Sequence, residues 1–228
     1  MDVVRLMKDQ TGVSAFSTHA GFNVCGYAGA DSGTVGADLM RLSEFTGIDV
    51  SEIYLPRQTH SVRVGLPCDN LEGVDALVTD CPGRLLCIST ADCLPLLLYD
   101  PEARVIGAAH CGWRGTVGGI ALATVEAMER LGASREHIVA ATGPYICPEC
   151  FEVGEEVAEL FPPEAVVRRA GRPRPYVDLL CAVRCQLDGV RFLDSAGCSM
   201  ENSLFYSVRR QGRELPYRTL TAISMILL

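Results

Sequence analysis

The sequence has very little lysine, histidine or tryptophan, and no long apolar run. Lys8 is the single lysine among 20 basic residues, and there are only four histidines and one tryptophan. The longest apolar stretches, residues 94–99 and 222–228, are far too short to cross a bilayer, which speaks against a membrane protein. The opening MDVVRLMKDQ has no apolar run followed by a small-residue cleavage site. No secretory leader is expected, and the cytoplasm is the expected compartment. Basic charge is also in deficit. With 28 acidic residues the formal net charge is −8 and the pI about 5.0, so the chain gains no electrostatic attraction to nucleic-acid phosphates. Internal repeats and low-complexity stretches are absent. Because the basic residues are almost all arginine, a local pocket for phosphate or carboxylate is still compatible with the acidic total.

At 228 residues and 48% hydrophobic, the chain can bury one sizeable core and reads as a single domain. Eleven cysteines is a high and odd number. In a reducing compartment, those inside apolar runs (Cys25, Cys87, Cys181 and Cys185) are expected to be small buried hydrophobes. Cys147 and Cys150 form a lone C-x-x-C, held in a turn by Pro144 and Pro148. With no second C-x-x-C in the chain, they read as a fortuitous pair of thiols.

Short β-branched and apolar runs predict strands over 13–17, 76–79, 85–89, 95–99, 105–109, 137–142, 190–193 and 219–227, with a hairpin turn at Asp100 and Pro101. Residues 118–131 carry apolar positions at Ile120, Val125, Met128 and Leu131, the pattern of an amphipathic helix ended by Gly132. Residues 154–161 and 177–187 also read as helices, the second with Asp178 near its N-terminus. Residues 161–175, with four prolines and several arginines, read as an exposed connection. Hairpins and helices mix without a steady β-α-β alternation. The fold class is therefore α+β, or layered sheets with helices outside.

With so few histidines, their positions carry information. His60 lies in RQTHSV, His110 directly follows the apolar VIGAA, and Cys93 sits in STADCLPLLLYD beside Asp92. Side chains at strand ends can converge on one rim of a sheet. Thiolate and imidazole together suit zinc, and three protein ligands with a fourth position free is the pattern of a catalytic zinc site. On spacing alone, hydrogen-bonded structural histidines stay open as the alternative. In GWRGT, glycines flank Arg114 just before a helix, which fits an anion site formed by Arg114 and Gly115 or a tight turn anchored by Trp113. Asp75 and Asp92 are the acids expected nearest the metal, to orient a histidine or carry protons.

Together, FSTHAGFN, RQTHS, VDALVTD, TADCLPLLLYD, AAHCGWRGTVGGI, GPYICPECFEVGEEV and LFYSVRRQGRE resemble the laccase-domain (YfiH-type) family, also known as polyphenol oxidases and as purine nucleoside phosphorylases. The segments run in family order over nearly the whole chain. The resemblance implies a layered α/β/β/α sandwich with His60, Cys93 and His110 as metal ligands. It also implies an active-site role for Arg41, although Met40 stands where the family usually has asparagine. His19 replaces a common arginine, and Ser61 a common glycine. Phe205, Tyr206 and Arg209 fall in the family's terminal motif, which makes Arg209 a candidate substrate contact.

The resemblance further implies phosphorolysis of adenosine, inosine, guanosine and methylthioadenosine, together with adenosine deamination. The expected partners are a nucleoside and phosphate; neither nucleic acid nor a membrane is expected. Zinc is the expected metal, with copper able to occupy the same donors. Four histidines cannot supply the imidazole cluster of a multicopper oxidase. Arg41, Cys93 and Asp92 are the expected catalytic residues, and Arg114, Gly115 and Arg209 the expected phosphate or substrate contacts. One alternative is a hydrolase editing peptidoglycan precursors, with Cys93 as nucleophile and His110 as base or with a metal. Another is a non-enzymatic partner protein with a structural zinc closed by Asp92 or Cys111.

Overall fold

The computed structural model describes residues 1–226. Its thirteen strands are β1 (Val3–Leu6), β2 (Val13–Thr18), β3 (Ile53–Tyr54), β4 (Val64–Gly65), β5 (Ala76–Thr79), β6 (Leu85–Thr90), β7 (Leu94–Asp100), β8 (Val105–Cys111), β9 (Val139–Thr142), β10 (Val166–Val167), β11 (Tyr176–Val177), β12 (Arg191–Ser195) and β13 (Thr219–Met225). The helices are α1 (Ser32–Thr46), α2 (Trp113–Gly118), α3 (Ile120–Arg130), α4 (Glu155–Ala158), α5 (Leu179–Gln186) and α6 (Val208–Gln211). A five-stranded sheet runs in the order β1-β2-β13-β6-β3 and a six-stranded sheet in the order β12-β9-β7-β8-β5-β4. Both sheets are mixed. β3 pairs with β6, β4 with β5, and β12 with β9 in parallel; the remaining neighbours are antiparallel.

The period of two along each strand builds the layers. Leu86 and Ile88 of β6, Leu97 and Tyr99 of β7 and Ile223 of β13 share one buried cluster, the interior between the sheets. Their neighbours Leu85, Cys87 and Ala222 face outward and pack with Leu42 of α1. On the other side Leu94, Leu96 and Leu98 meet Ile120, Val125 and Met128 of α3 and Leu179 and Val183 of α5. The result is the expected α/β/β/α sandwich. It also explains why LPLLLYD shows no polar alternation: every residue of β7 is buried, because both faces of its sheet are covered.

The tight turn after β7 is real. Asp100 Oδ1 accepts from the N–H groups of Glu102 and Ala103, and Oδ2 from that of Ser134. The helix expected over 118–131 is α3, starting at Ile120 because Gly119 takes φ +89 and separates it from the short α2 that precedes it. The helix expected over 154–161 shrinks to the single turn of α4. Asp178 caps α5 through its bond from the Cys181 N–H at 2.9 Å, as expected. α1 was not legible from its periodicity, since Gly33 and Gly36 dilute it; Asp31 caps its start by accepting from the Thr34 N–H. Part of 161–175 is ordered as β10 on β11. β13 carries the last expected strand as far as Met225, and Leu227 lies outside the described residues. Cys25 and Cys87 are buried, but Cys181 is only half-buried and Cys185 exposed, because they lie on the solvent side of the short helix α5. Among the described residues no helix is long and apolar enough to cross a membrane.

Candidate metal centre

The chain passes from one sheet to the other between β6 and β7, and Cys93 lies in that crossing. Among the described residues four non-glycine residues have positive φ, and two of them are at this place: Asp92 at +98° and His60 at +62°. Such backbone is costly for residues bearing a Cβ and persists only where surrounding contacts enforce it.

For His60 the enforcing group is Asp75, which is fully buried. Its carboxylate accepts three successive backbone N–H groups: Thr59 at 3.0 Å, His60 at 2.9 Å and Ser61 at 2.8 Å. This is an anion nest made by the loop itself. The same carboxylate accepts His110 Nδ1–H at 2.7 Å. The pairing of β5 with β8 accounts for that contact. Ala76 stands opposite Ala109, so Asp75 falls opposite His110, whose N–H donates to the Asp75 carbonyl at 2.8 Å. Burial alone would raise the Asp75 pKa. The His110 bond and the N–H groups overcome it and hold the carboxyl well below its ordinary range.

With Nδ1 committed to Asp75, His110 offers its other ring nitrogen. Cys93 Sγ lies 3.8 Å from His60 Nε2, and the ring centroids of the two histidines are 4.8 Å apart. One ligand atom from each of His60, Cys93 and His110 falls within 4.8 Å of the others. Burial would raise the Cys93 thiol, but the positive charge and hydrogen bond of His110, with those of His60, bring it down to about 6. His110 would fall on burial; the Cys93 thiolate and the Asp75 bond lift it to about 9. Gly112 allows this approach, since a Cβ there would come within 2.7 Å of His60 Cδ2 and 3.1 Å of Cys93 Sγ. Two imidazoles and a readily ionised thiolate, preset by a buried carboxylate, fit a zinc-type ion.

No fourth protein ligand joins this group among the described residues. Cys111 points to the opposite face, fully buried under the helices, where burial pushes its thiol up. The Asp92 carboxylate is otherwise engaged, accepting Ser199 Oγ–H at 2.8 Å and the Arg209 N–H at 2.7 Å. The closed structural site is therefore not what these residues build. His19 packs edge-on to Phe205, and His137 pairs with Glu102 at 3.3 Å, so neither joins the triad.

The triad opens into a cleft of about 790 Å³ whose lining includes Tyr27, Gln58, Asp92, Phe151, Glu152 and four arginines, Arg174, Arg209, Arg213 and Arg218. The volume suits a small organic ligand. Arg209 lines the cleft and donates to the Glu152 carbonyl at 3.1 Å. Three expected contacts are not brought here. Arg41, on α1, pairs with Asp38 at 2.7 Å. Arg114 lies over the Trp113 ring at 4.1 Å. Gly115 is buried, and a Cβ there would press on the carbonyls of Ser61 and His110. The GWRGT turn thus seats α2 tightly against the His60 loop, and its arginine is not among the residues that line the cleft. The sequence reading missed Arg174, Arg213 and Arg218. Arg174 comes from the β10–β11 connection and Arg213 and Arg218 from the α6–β13 connection, and only the surplus of arginine over lysine hinted at them. Gln58 was missed as well. Its amide pairs with both the N–H and the carbonyl of Ser89, each at 2.9 Å, and sets the cleft wall.

The comparisons with known proteins agree with this architecture. The chain is 46% identical over 212 residues to a purine nucleoside phosphorylase of Deinococcus radiodurans, covering 86% of this chain and 83% of that protein. It is 40% identical over 239 residues to adenosine deaminase RL5 of an unknown prokaryotic organism, covering 90% and 91%. Among solved structures, YfiH of Bacillus licheniformis superposes with a TM-score of 0.87 at 25% identity, covering 96% of this chain and 95% of that one. With residues 4–226 matching as well, the chain belongs to the family described as multi-copper polyphenol oxidoreductase laccase.

Proposed function

We propose that this chain is a zinc-dependent purine nucleoside enzyme. In this reading it cleaves adenosine, inosine, guanosine and methylthioadenosine by phosphorolysis and also deaminates adenosine. The observation that carries the reading is the His60–Cys93–His110 triad, open on one side to an arginine-lined cleft of nucleoside size. The names of its relatives, purine nucleoside phosphorylase and adenosine deaminase, point the same way. A zinc ion held by the triad would supply Lewis acidity and acidify water to near neutrality. The donors also suit copper, but two imidazoles and one thiolate serve one ion, and among the described residues no further histidine joins them to build the imidazole cluster of a multi-copper centre.

The chain's own residues divide the rest of the work. Arg209, with Arg174, Arg213 and Arg218, supplies the positive charge that phosphate needs, in place of Arg114 and Gly115. Phe151 and Tyr27 offer apolar ring surface to a base. Asp92 acts as a positioning residue, because its carboxylate fixes the start of α6 and so the place of Arg209. Asp75 fixes the His110 tautomer.

The test is product identification. Metal-analysed protein is incubated with adenosine, with and without phosphate. Free adenine formed only with phosphate establishes phosphorolysis, and inosine establishes deamination. Neither product from zinc-loaded protein overturns the reading.

A second reading has a specific observation behind it. Cys93, His110 and Asp75 also form a nucleophile–base–orienter series, with the thiol already at about 6, the arrangement of a cysteine hydrolase. A metal-free protein that stays active and is inactivated by thiol alkylation would favour it over the zinc enzyme.

A further inference from the structure

The C-x-x-C at Cys147 and Cys150 is not alone in space. Cys198, 48 residues beyond Cys150 in the sequence, brings its sulfur to them, and the three Sγ atoms lie within 4.8 Å of one another. Glu201 adds a carboxylate oxygen 3.7 Å from Cys150 Sγ. The two segments therefore present matching halves, Cys147-x-x-Cys150 and Cys198-x-x-Glu201. We propose that these four residues form a second metal site, a closed zinc centre of three thiolates and one carboxylate that staples the cleft wall.

The backbone holds the halves together without any metal. Tyr145 and Cys198 form a parallel bridge. The Tyr145 N–H donates to the Gly197 carbonyl at 3.2 Å, and the Ser199 N–H to the Tyr145 carbonyl at 2.8 Å. The Cys147 carbonyl accepts the N–H groups of both Cys150 and Phe151 at 3.0 Å, which folds the first half into a tight knuckle. The Cys147 N–H points at Cys198 Sγ at 3.4 Å, and the N–H groups of Met200 and Glu201 also bond that sulfur. Such donors stabilise a thiolate, and the Cys198 thiol is held below its ordinary value although burial opposes it. Cys147 and Cys150 are pushed up, first by burial; the neighbouring sulfurs add to the rise at Cys147, and Cys198 adds to it at Cys150 against an opposing hydrogen bond from Cys147. A cation between them would relieve that repulsion.

The spacing suits zinc. Zn–S bonds of about 2.3 Å in a tetrahedron put sulfurs about 3.8 Å apart, and a Zn–O bond of about 2.0 Å puts sulfur and oxygen about 3.5 Å apart. The three sulfurs reach that spacing with side-chain adjustments of about 1 Å or less, and Glu201, already beside Cys150 but outside the 4.8 Å group, turns further to complete the shell. Four protein ligands make a structural site, unlike the open triad. Binding displaces the thiol protons to solvent and leaves the sulfurs at the same oxidation level.

Both halves carry cleft residues. Phe151, Glu152, Val153 and Gly154 follow directly on Cys150 and line the cleft. Ser199, between Cys198 and Glu201, donates to Asp92, and Arg210 donates to the carbonyls of Ser199 and Met200 at 2.7 and 2.6 Å. A metal joining the halves would lock Phe151, Asp92 and the start of α6 into one wall. The inference does not depend on which reaction the triad performs.

The experiment is zinc stoichiometry by elemental analysis on gently purified protein. The wild type is expected to hold about two zinc ions per chain and Cys198→Ser or Cys147→Ser about one. A His60→Ala/Cys93→Ala variant should also hold about one, bound at the second site. Zinc retained by the triad in Cys198→Ser shows that this variant is folded. Cobalt substitution gives an independent signal, since the sulfur-to-cobalt charge-transfer band grows with the number of thiolates. His60→Ala/Cys93→Ala should keep most of that band and Cys198→Ser should lose most of it. Unchanged zinc in Cys198→Ser, or a folded His60→Ala/Cys93→Ala protein without stoichiometric metal, would overturn the site. So would a disulfide among these cysteines in the freshly isolated protein. An unchanged second-site affinity in Glu201→Gln would remove Glu201 as the fourth ligand.

Discussion

Asp75→Asn is the most searching perturbation of the metal centre, because one buried carboxylate holds both histidines. Oδ1 accepts His110 Nδ1–H and the His60 N–H; Oδ2 accepts the N–H groups of Thr59 and Ser61. An asparagine amide has one acceptor oxygen and one donor nitrogen. In either orientation, two of the four donors face amide hydrogens in a site closed to solvent. Leaving a buried donor unsatisfied costs about 1–3 kcal/mol, so the loss of stability should be about 2–6 kcal/mol. Rearrangement offers one partial escape. His110 can give up its Nδ1 proton so that Nδ1 accepts from the amide, but the remaining proton then sits on the nitrogen that faces Cys93. His60 meanwhile loses the anchor that holds it at φ +62. Loss of a group that orients a ligand typically weakens metal binding about 10–100-fold, and with both histidines affected the upper end is expected. Competition with a chromophoric chelator measures the affinity, and urea unfolding of the metal-free protein measures the stability. Zinc affinity within about threefold of wild type, together with unchanged stability, would refute the reasoning.

Metal affinity should follow the shifted pairs. Binding needs the Cys93 thiolate and neutral His110, and with their values at about 6 and about 9 the metal-free centre stands as thiolate and imidazolium between them. One proton, from His110, then leaves per ion bound, so affinity should rise about tenfold per pH unit from pH 6 to 9 and level off above. Calorimetry in buffers of different ionisation enthalpy counts that proton, and a flat profile would count against the pair. In the metal-free protein, alkylation of Cys93 should show a midpoint near pH 6; a midpoint above 8 would show that His110 does not act on it. Gly112→Ala should cut zinc affinity by at least about tenfold while far-UV circular dichroism is preserved, because the new methyl meets both His60 and Cys93; wild-type affinity would show that the loop yields without cost. Arg209→Ala should raise half-saturating phosphate at least about tenfold, whereas Arg41→Ala and Arg114→Ala should leave it within about twofold. The reverse ranking would restore the phosphate cradle to the GWRGT turn.

The sequence by itself determined the elements with strong local signals and singled out the three candidate ligands. LPLLLYD and VIGAAHC form the central antiparallel pair because their apolar side chains are buried on two faces, and Asp178 caps α5 because a carboxylate there meets free N–H groups. His60, Cys93 and His110 were legible through the resemblance, their spacing alone leaving structural histidines open. Only the tertiary structure decided what surrounds them. Asp75, already expected to orient a histidine, became the keystone of both histidines because strand pairing sets it opposite His110, a long-range register that composition does not encode. Arg114 lies over the Trp113 ring, and the arginines that line the cleft come from α6 and from the β10–β11 and α6–β13 connections. The C-x-x-C looked fortuitous because its complement is a C-x-x-E in another segment, and a parallel bridge at Tyr145 brings the two together. Local pattern fixes which residues are buried and where turns fall. Which chemical groups meet depends on sheet order and register, set by the packing of the whole chain.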